Sequence, residues 1–419
     1  MNSPVPVIPE LLAPAGSFEK LVTAIHYGAD AVYLSGKKYG LRAKSANFDA
    51  DGIVEAVDYA HKREVKVYAT VNIIAHEDDF LGLDDYLLSL DDAGVDAIIV
   101  SDPGIFELAR TIVPNLSIHL STQANVTNPR SAGFWIRQGA ARLNLARELS
   151  IDEIRTIRKR LEGEIEVFVH GALCISYSGR CMLSSYMTGR DANRGNCAQP
   201  CRYSYALVEE KRPGEYFPVC EDERGTYIFN ARDLCLLKNL PQLVAAGVDS
   251  LKIEGRMKSI FYVGGVVRVY RAALDYLRGL EAGQWQRPEQ IELPQIFIDE
   301  IEKTGTRGMS ENFSRAKPGA ADMLYDRSRL DQPYEPVAVV REITPGGVGV
   351  ELRNACSVGE AVEYMGDSLQ PAHMVVSRML DADGMPVGRG NPGAHLEWRF
   401  QSRLEQVAVN GMFRRKKLG

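Results

Sequence analysis

Six of the seven cysteines in this chain, Cys174, Cys181, Cys197, Cys201, Cys220 and Cys235, fall within 62 residues, and only Cys356 stands apart. Thiolates gathered in this way in a chain without a secretory leader pattern point to metal or redox chemistry before disulfides. Cys174, Cys181, Cys197 and Cys235 follow one another at intervals of 7, 16 and 38 positions. Four thiolates so placed can converge on a tetrahedral set, which suits structural zinc or a 4Fe–4S cluster. Zinc ribbons usually carry paired C-x2-C knuckles, whereas the tightest pair here is Cys197-x3-Cys201. The spacing therefore favours the cluster, with Cys201 and Cys220 as accessory residues and Cys201 the competitor of Cys197 as third ligand. The plainer alternative is unliganded cysteines in an apolar core.

Other groups near this segment could take part. His170 directly precedes it and could act as general acid or base, or ligate iron, since histidine titrates near neutral pH; a histidine there could equally be hydrogen-bonded in place. Arg180, Arg190, Arg194 and Arg202 stand against the single acid Asp191, and the chain ends in a basic run at 414–417. Two such islands could clamp phosphates, or form no more than a solvated face. Tyr177 and Tyr186 could stack a base or pack at the rim. Hydrolase signatures are missing: there is no G-x-S-x-G elbow and no H-E-x-x-H pair.

The elements that must position these residues alternate regularly. Strand patterns fall at 9–13, 31–35, 65–71, 97–101, 117–121, 141–146, 165–169 and 250–253, with helical patterns at 18–27, 52–63, 79–93, 104–113, 152–161 and 259–278. Gly28, Gly94, Gly139 and Gly247 sit where helix C-caps are expected. Eight βα units predict an α/β fold, a (β/α)8 TIM-like barrel over 1–283. An open doubly wound sheet is the competitor, but LLAPAGS after the first strand has the wrong glycine spacing for a dinucleotide fold. The alternation breaks after strand seven, where 172–230 forms an insertion far longer than a usual βα loop. Such loops open on the C-terminal face of a barrel, so the cysteines are expected over its mouth, with Cys235 at the start of the next helix. Strand ends then supply Glu10, Asn72, Ser121-Thr122-Gln123, Arg147-Glu148 and Lys252-Ile253-Glu254-Gly255-Arg256. Residues 284–334 read as a linker containing a helix, and 335–419 as a small all-β barrel or sandwich.

Composition narrows the function classes. With 45% hydrophobic and 25% charged residues, long disordered tracts are not expected. No apolar run approaches the roughly 20 residues of a membrane span, so no membrane partner is expected. The start, MNSPVPVIPE, lacks the regions of a secretory signal, which makes a cytoplasmic protein the default. A net charge of −6 argues against indiscriminate nucleic-acid binding while leaving room for a local RNA site.

The run HGALCISYSGRCMLSSYMTGRDANRGNCAQPCR, with NARDLC, DSLKIEGRMKS, ELLAPAGSFEKLVTAIHYGADAVYLSG and NLARELS, resembles the collagenase-like peptidase family, peptidase family U32. The likeness covers essentially the whole barrel and, more weakly, the β domain. It implies a hydroxylation factor with a 4Fe–4S cluster on Cys174, Cys181, Cys197 and Cys235. The length and added β domain are most like the branch that hydroxylates the wobble uridine of tRNA to 5-hydroxyuridine with prephenate as hydroxyl source. Longer relatives act on ribosomal RNA, and short paired ones serve ubiquinone hydroxylation. A dicarboxylate co-substrate calls for forked guanidinium donors, for which Arg147, Arg256 and Arg42 are candidates. Asn72, Gln123 and Lys252 are further candidate substrate contacts, and His170, Arg147, Glu148, Glu254 and Arg256 candidate catalytic groups. The arginines and acids could instead be paired charges that close the barrel. The anticodon loop of tRNA is the implied partner. A peptidase, and a non-catalytic cluster-bearing adaptor, are the alternatives.

Overall fold

The computed structural model describes residues 5–41, 47–174, 176, 178, 180–202, four short strand pieces between 207 and 227, and then 232–305, 308–315, 332–367, 369–401 and 407–417. Eight parallel strands close into a barrel: β1 (Glu10–Pro14), β2 (Ala31–Leu34), β3 (Lys66–Val71), β4 (Ala97–Val100), β5 (Ser117–Leu120), β6 (Arg142–Asn144), β7 (Glu164–Gly171) and β8 (Ser250–Ile253), with β8 pairing both β7 and β1. The helices between them are α1 (Phe18–His26), α2 (Ala50–His61), α3 (Leu83–Asp92), α4 (Pro103–Ile112), α5 (Pro129–Arg137), α6 (Ile151–Arg158) and α7 (Leu240–Ala245), and α8 (Ile260–Arg278) follows β8. Side-chain caps fix the starts of several: Ser17, Asp49, Asp102, Asn128 and Ser150 each accept an orphan amide of the first turn. The glycines expected behind helices, Gly28, Gly94, Gly139 and Gly247, all hold φ between +75° and +103°.

Three expectations change. The helix expected over 79–93 is a short 3-10 turn, Glu77–Phe80, then α3, because Gly82 between them is left-handed at φ +79°. Helix α5 lacks a counterpart among the sequence patterns, although Asn128 as N-cap with Pro129 at the first turn announces it. Cys235 is not at a helix start: Asp233–Cys235 is a strand laid antiparallel on β7, with Leu234 opposite Gly171 and Cys235 opposite His170.

The barrel interior divides in two. Leu12, Ala31, Tyr33, Tyr68, Ala97 and Ile99 make an apolar half. On the other side Arg142 reaches Glu10 at 2.6 Å and Glu164 at 2.7 Å, while Glu166 takes Lys252 and Asn144, each at 2.8 Å. Ser250 donates to Glu10 at 3.1 Å, and Tyr68 donates to it at 2.8 Å. Buried charges of this kind are tolerable only when mutually paired and hydrogen-bonded, as these are. Glu10 lies at the start of β1, at the end of the barrel away from the mouth, not at a strand end as the sequence suggested.

After α8, helix α9 (Gln295–Glu302) packs back on the barrel, and strand Met309–Ser310 pairs with Asp233–Cys235. The final domain is a six-stranded antiparallel barrel: β9 (Tyr334–Thr344), β10 (Gly347–Leu352), β11 (Ala361–Met365), β12 (Ala372–Leu380), β13 (His395–Phe400) and β14 (Met412–Lys416), closed by β11 against β12. Trp398, Phe413 and Val340 fill its core. It lies along α1: Glu19 at the helix start pairs with Arg341 and Arg353, while Tyr27 just past its end donates to the Met365 carbonyl at 2.9 Å and accepts from the Met412 amide at 3.0 Å.

Candidate active site at the barrel mouth

The cysteine segment leaves β7 and folds over the C-terminal ends of the strands. Contacts from several βα units seat it. Glu148 accepts from the Ser178 amide at 2.6 Å and its hydroxyl at 2.7 Å; Arg180 donates to the Gln123 carbonyl at 2.7 Å; the Ile74 amide donates to the Asn193 carbonyl at 3.1 Å; and Arg194 pairs with Asp79 at 2.5 Å. Within the segment, Asn193 accepts from the Cys181 amide at 3.2 Å, and Arg190 donates to Asn196 and to the Cys197 carbonyl. Arg180, Arg190 and Arg194, which the sequence offered either as phosphate contacts or as a solvated face, each hold part of the loop's own structure. The side chain of Arg202 lies outside the described residues, as do Arg42, Tyr177 and the side chains of Tyr186 and Cys220.

Cys174 is the thiol of this segment on which its neighbours bear. Desolvation raises the Cys174 thiol, and the neighbouring Cys181 and Cys197 add to the rise, while the Ser176 amide and Arg147 oppose it. The Cys235 thiol is 3.9 Å from the Tyr270 hydroxyl, and burial raises it too. Among the described residues, no three or more His, Cys, Asp or Glu side chains form a group that could hold a metal ion. The donor chemistry of three soft sulfur ligands over the mouth nonetheless fits an iron–sulfur cluster or zinc. The fourth thiol of the expected set faces Tyr270. The sequence reading missed Tyr270 because it sits in the apolar run of α8 and looks like core.

Beneath the loop, polar side chains meet at the strand ends. Asn72 accepts from the Leu41 amide at 3.3 Å and reaches the Ser121 hydroxyl at 3.5 Å, and Ser121 bonds Gln123. Arg256, only 4% exposed, donates to Thr70 at 3.3 Å. Asn72 and Gln123 are therefore linked through Ser121, while Arg256 is held at Thr70 on β3, the strand that Asn72 follows. Lys252 is deeper, paired with Glu166 and 4.6 Å from the centre of the Tyr33 ring. Arg147 does not pair with Glu148. It donates to the Ala172 carbonyl at 2.9 Å, lies 3.7 Å from Glu254, and stacks its guanidinium 3.8 Å over Phe168.

His170 faces away from this group. A register shift between Lys252 and Ile253 pairs Lys252 with Phe168 but Ile253 with His170, so His170 takes the outward side. There its ring packs against Tyr262 and Tyr270 of α8, with the Tyr270 hydroxyl 3.4 Å from Nδ1. Burial lowers its pKa to about 4, with Lys258 adding to the fall and Asp233 opposing it, so the ring is neutral near pH 7. Among the described residues no helix is long and apolar enough to cross a membrane.

Comparison with known proteins agrees with this architecture. The family model for peptidase family U32 matches residues 16–324. The chain is 40% identical over 378 residues to tRNA hydroxylation protein P1 of Bacillus subtilis, covering 90% of this chain and 88% of that one. It is 36% identical to tRNA hydroxylation protein P of Escherichia coli, covering 85% and 86% of the two chains. The 23S rRNA 5-hydroxycytidine C2501 synthase of Escherichia coli is 38% identical over 85% of this chain and 52% of its own length. On the match across the barrel and its cysteine loop, this chain belongs to peptidase family U32.

Proposed function

We propose that this protein is an RNA hydroxylase that converts the wobble uridine of tRNA to 5-hydroxyuridine. The observation that carries the reading is the near full-length similarity to proteins named for tRNA hydroxylation. The cysteine loop seated over the polar barrel mouth adds physical support, because the C-terminal face is where barrels of this kind place their chemistry. Cys174, Cys181, Cys197 and Cys235 would hold a 4Fe–4S cluster, which requires the Cys235 thiol to leave Tyr270. When bound, such a cluster supplies redox-active, Lewis-acidic iron at the mouth.

The rest falls to side chains. A small dicarboxylate, with prephenate the expected hydroxyl source, would be held by Arg256 with Arg147 at the rim, since a guanidinium fork matches a carboxylate edge. Asn72 and Gln123 would hydrogen-bond the uracil or the co-substrate. The loop would cover the reacting groups from above, and Lys252 with Glu166 fixes the floor. A uridine in the anticodon loop reaches such a pocket at little unstacking cost, because it is already single-stranded.

The test is direct. tRNA from cells lacking the gene should contain no wobble 5-hydroxyuridine, and the intact gene should restore it while a Cys181→Ser copy should not. Anaerobically purified protein should carry about four irons and four sulfides per chain. Unchanged tRNA in the deletion would end the proposal and reopen the adaptor and peptidase readings.

A further inference from the structure

Arg147 and Glu148 are neighbours in the loop just beyond β6, yet they serve opposite ends of one stretch of the cysteine loop. Arg147 holds the Ala172 carbonyl at 2.9 Å, and Glu148 holds both the amide and the hydroxyl of Ser178 at 2.6 and 2.7 Å. Cys174 lies between these two anchors, and Cys181 follows the second by three residues. Ser178 is itself unusual, with φ +44°, a left-handed conformation that a side chain other than glycine's adopts at a cost. A backbone in that state persists when its surroundings over-determine it, and here one carboxylate engages two donors of the same residue.

We infer that Arg147 and Glu148 form a two-point clamp that presets the Cys174–Cys181 stretch for its ligand, with Glu148 a positioning residue and not an acid–base catalyst. The role in ligand loading rests on the cluster proposed above, while the clamp itself belongs to the metal-free chain. A carboxylate whose two oxygens are each committed to a loop donor is poorly placed to shuttle protons at a substrate. The same two bonds fix where the chain turns between the first two thiols. Arg147 is braced in its turn by Phe168 beneath and Glu254 beside it, so the anchor is tied to β7 and β8 as well as β6.

Full-length Glu148→Ala and Glu148→Gln proteins separate positioning from catalysis. A glutamine amide can still accept from the Ser178 amide and donate to its hydroxyl, so it keeps the shape while losing the charge. In metal-free protein, Glu148→Ala should speed amide exchange across residues 172–182 by about tenfold with little change in melting temperature. Glu148→Gln should stay within about twofold of the parent. In anaerobically reconstituted protein, iron loss to a chelator should accelerate in the alanine variant and not in the glutamine one. Unchanged loop exchange in Glu148→Ala overturns the clamp. Loss of product formation in Glu148→Gln, with parental loop exchange and iron retention, overturns the positioning role and makes Glu148 catalytic. If the parent protein takes up no iron, the cluster reading fails, while the exchange measurement still decides the clamp.

Discussion

Arg414, in the last strand, donates to Glu300, in the helix behind the barrel, at 2.8 Å, and both side chains are 2% exposed. Arg414 also reaches Glu363 at 2.9 Å, and Glu300 takes Arg268 at 3.1 Å, so the two domains share one buried charge network. Desolvation alone would raise the Glu300 carboxyl; its bonds to Arg414 and Lys303 hold it below its ordinary range.

Breaking that network should therefore be costly. Arg414→Met leaves Glu300 and Glu363 short of a partner and is expected to destabilise by about 3–5 kcal/mol. Urea unfolding followed by both tryptophan fluorescence and circular dichroism should show coincident transitions in the parent and separated ones in the variant. Coincident, unshifted curves in Arg414→Met would show that the domains are held together elsewhere.

The barrel interior makes a second case. Lys252→Met abandons Glu166, which keeps Asn144 but loses its 2.8 Å cation. The expected loss is about 3–5 kcal/mol, and Lys252→Met with Glu166→Leu should recover most of it, since an apolar pair of similar volume can replace a buried ion pair. A double variant less stable than the single one would mean that Arg142, 3.6 Å from Glu166, depends on that carboxylate more than Lys252 does.

Gly171 closes β7 at φ +114°, and a Cβ there would lie 2.4 Å from the Glu254 carbonyl oxygen. Gly171→Ala meets both a forbidden backbone region and a backbone atom that cannot swing aside. It should destabilise by at least about 2 kcal/mol and loosen the start of the cysteine loop. Denaturant midpoints and exchange at residues 172–174 would report the two effects separately.

The barrel was legible because each unit repeats the same signals: an apolar strand, a capped amphipathic helix and a glycine in the left-handed region. What could not be read was where individual side chains point. His170 was expected to serve the site because it ends the seventh strand directly before the cysteine segment, and a single register shift turns it to the outward face. The basic run at 414–417 was read as a tail, yet Arg414 is buried in the domain contact and Arg415 pairs with Glu335 and Glu360. Sequence records the charge but not the acids that reach Arg414 from 51 and 114 residues away. The partners of Arg180 and Arg194 in the cysteine loop, Gln123 and Asp79, were equally out of sight, since they belong to other βα units.

His170 also sets an acid limit on the fold. Burial pushes its pKa down to about 4 in the native protein, against about 6.5 for a solvated histidine, so the unfolded chain binds the extra proton between these two pH values. Stability contributed by keeping this ring neutral is complete above about pH 6.5 and is lost as pH falls towards 4, by on the order of 3 kcal/mol in total. Buried His119, lowered mainly by desolvation and then by Arg142, adds to the same slope. His170→Phe keeps an aromatic ring between Tyr262 and Tyr270 but has nothing to protonate. In metal-free protein the variant should lose less stability than the parent between pH 7 and pH 4, the difference growing steadily below pH 6.5. Parallel stability curves for the two proteins would show that His170 is charged in the native state, contrary to its burial against α8.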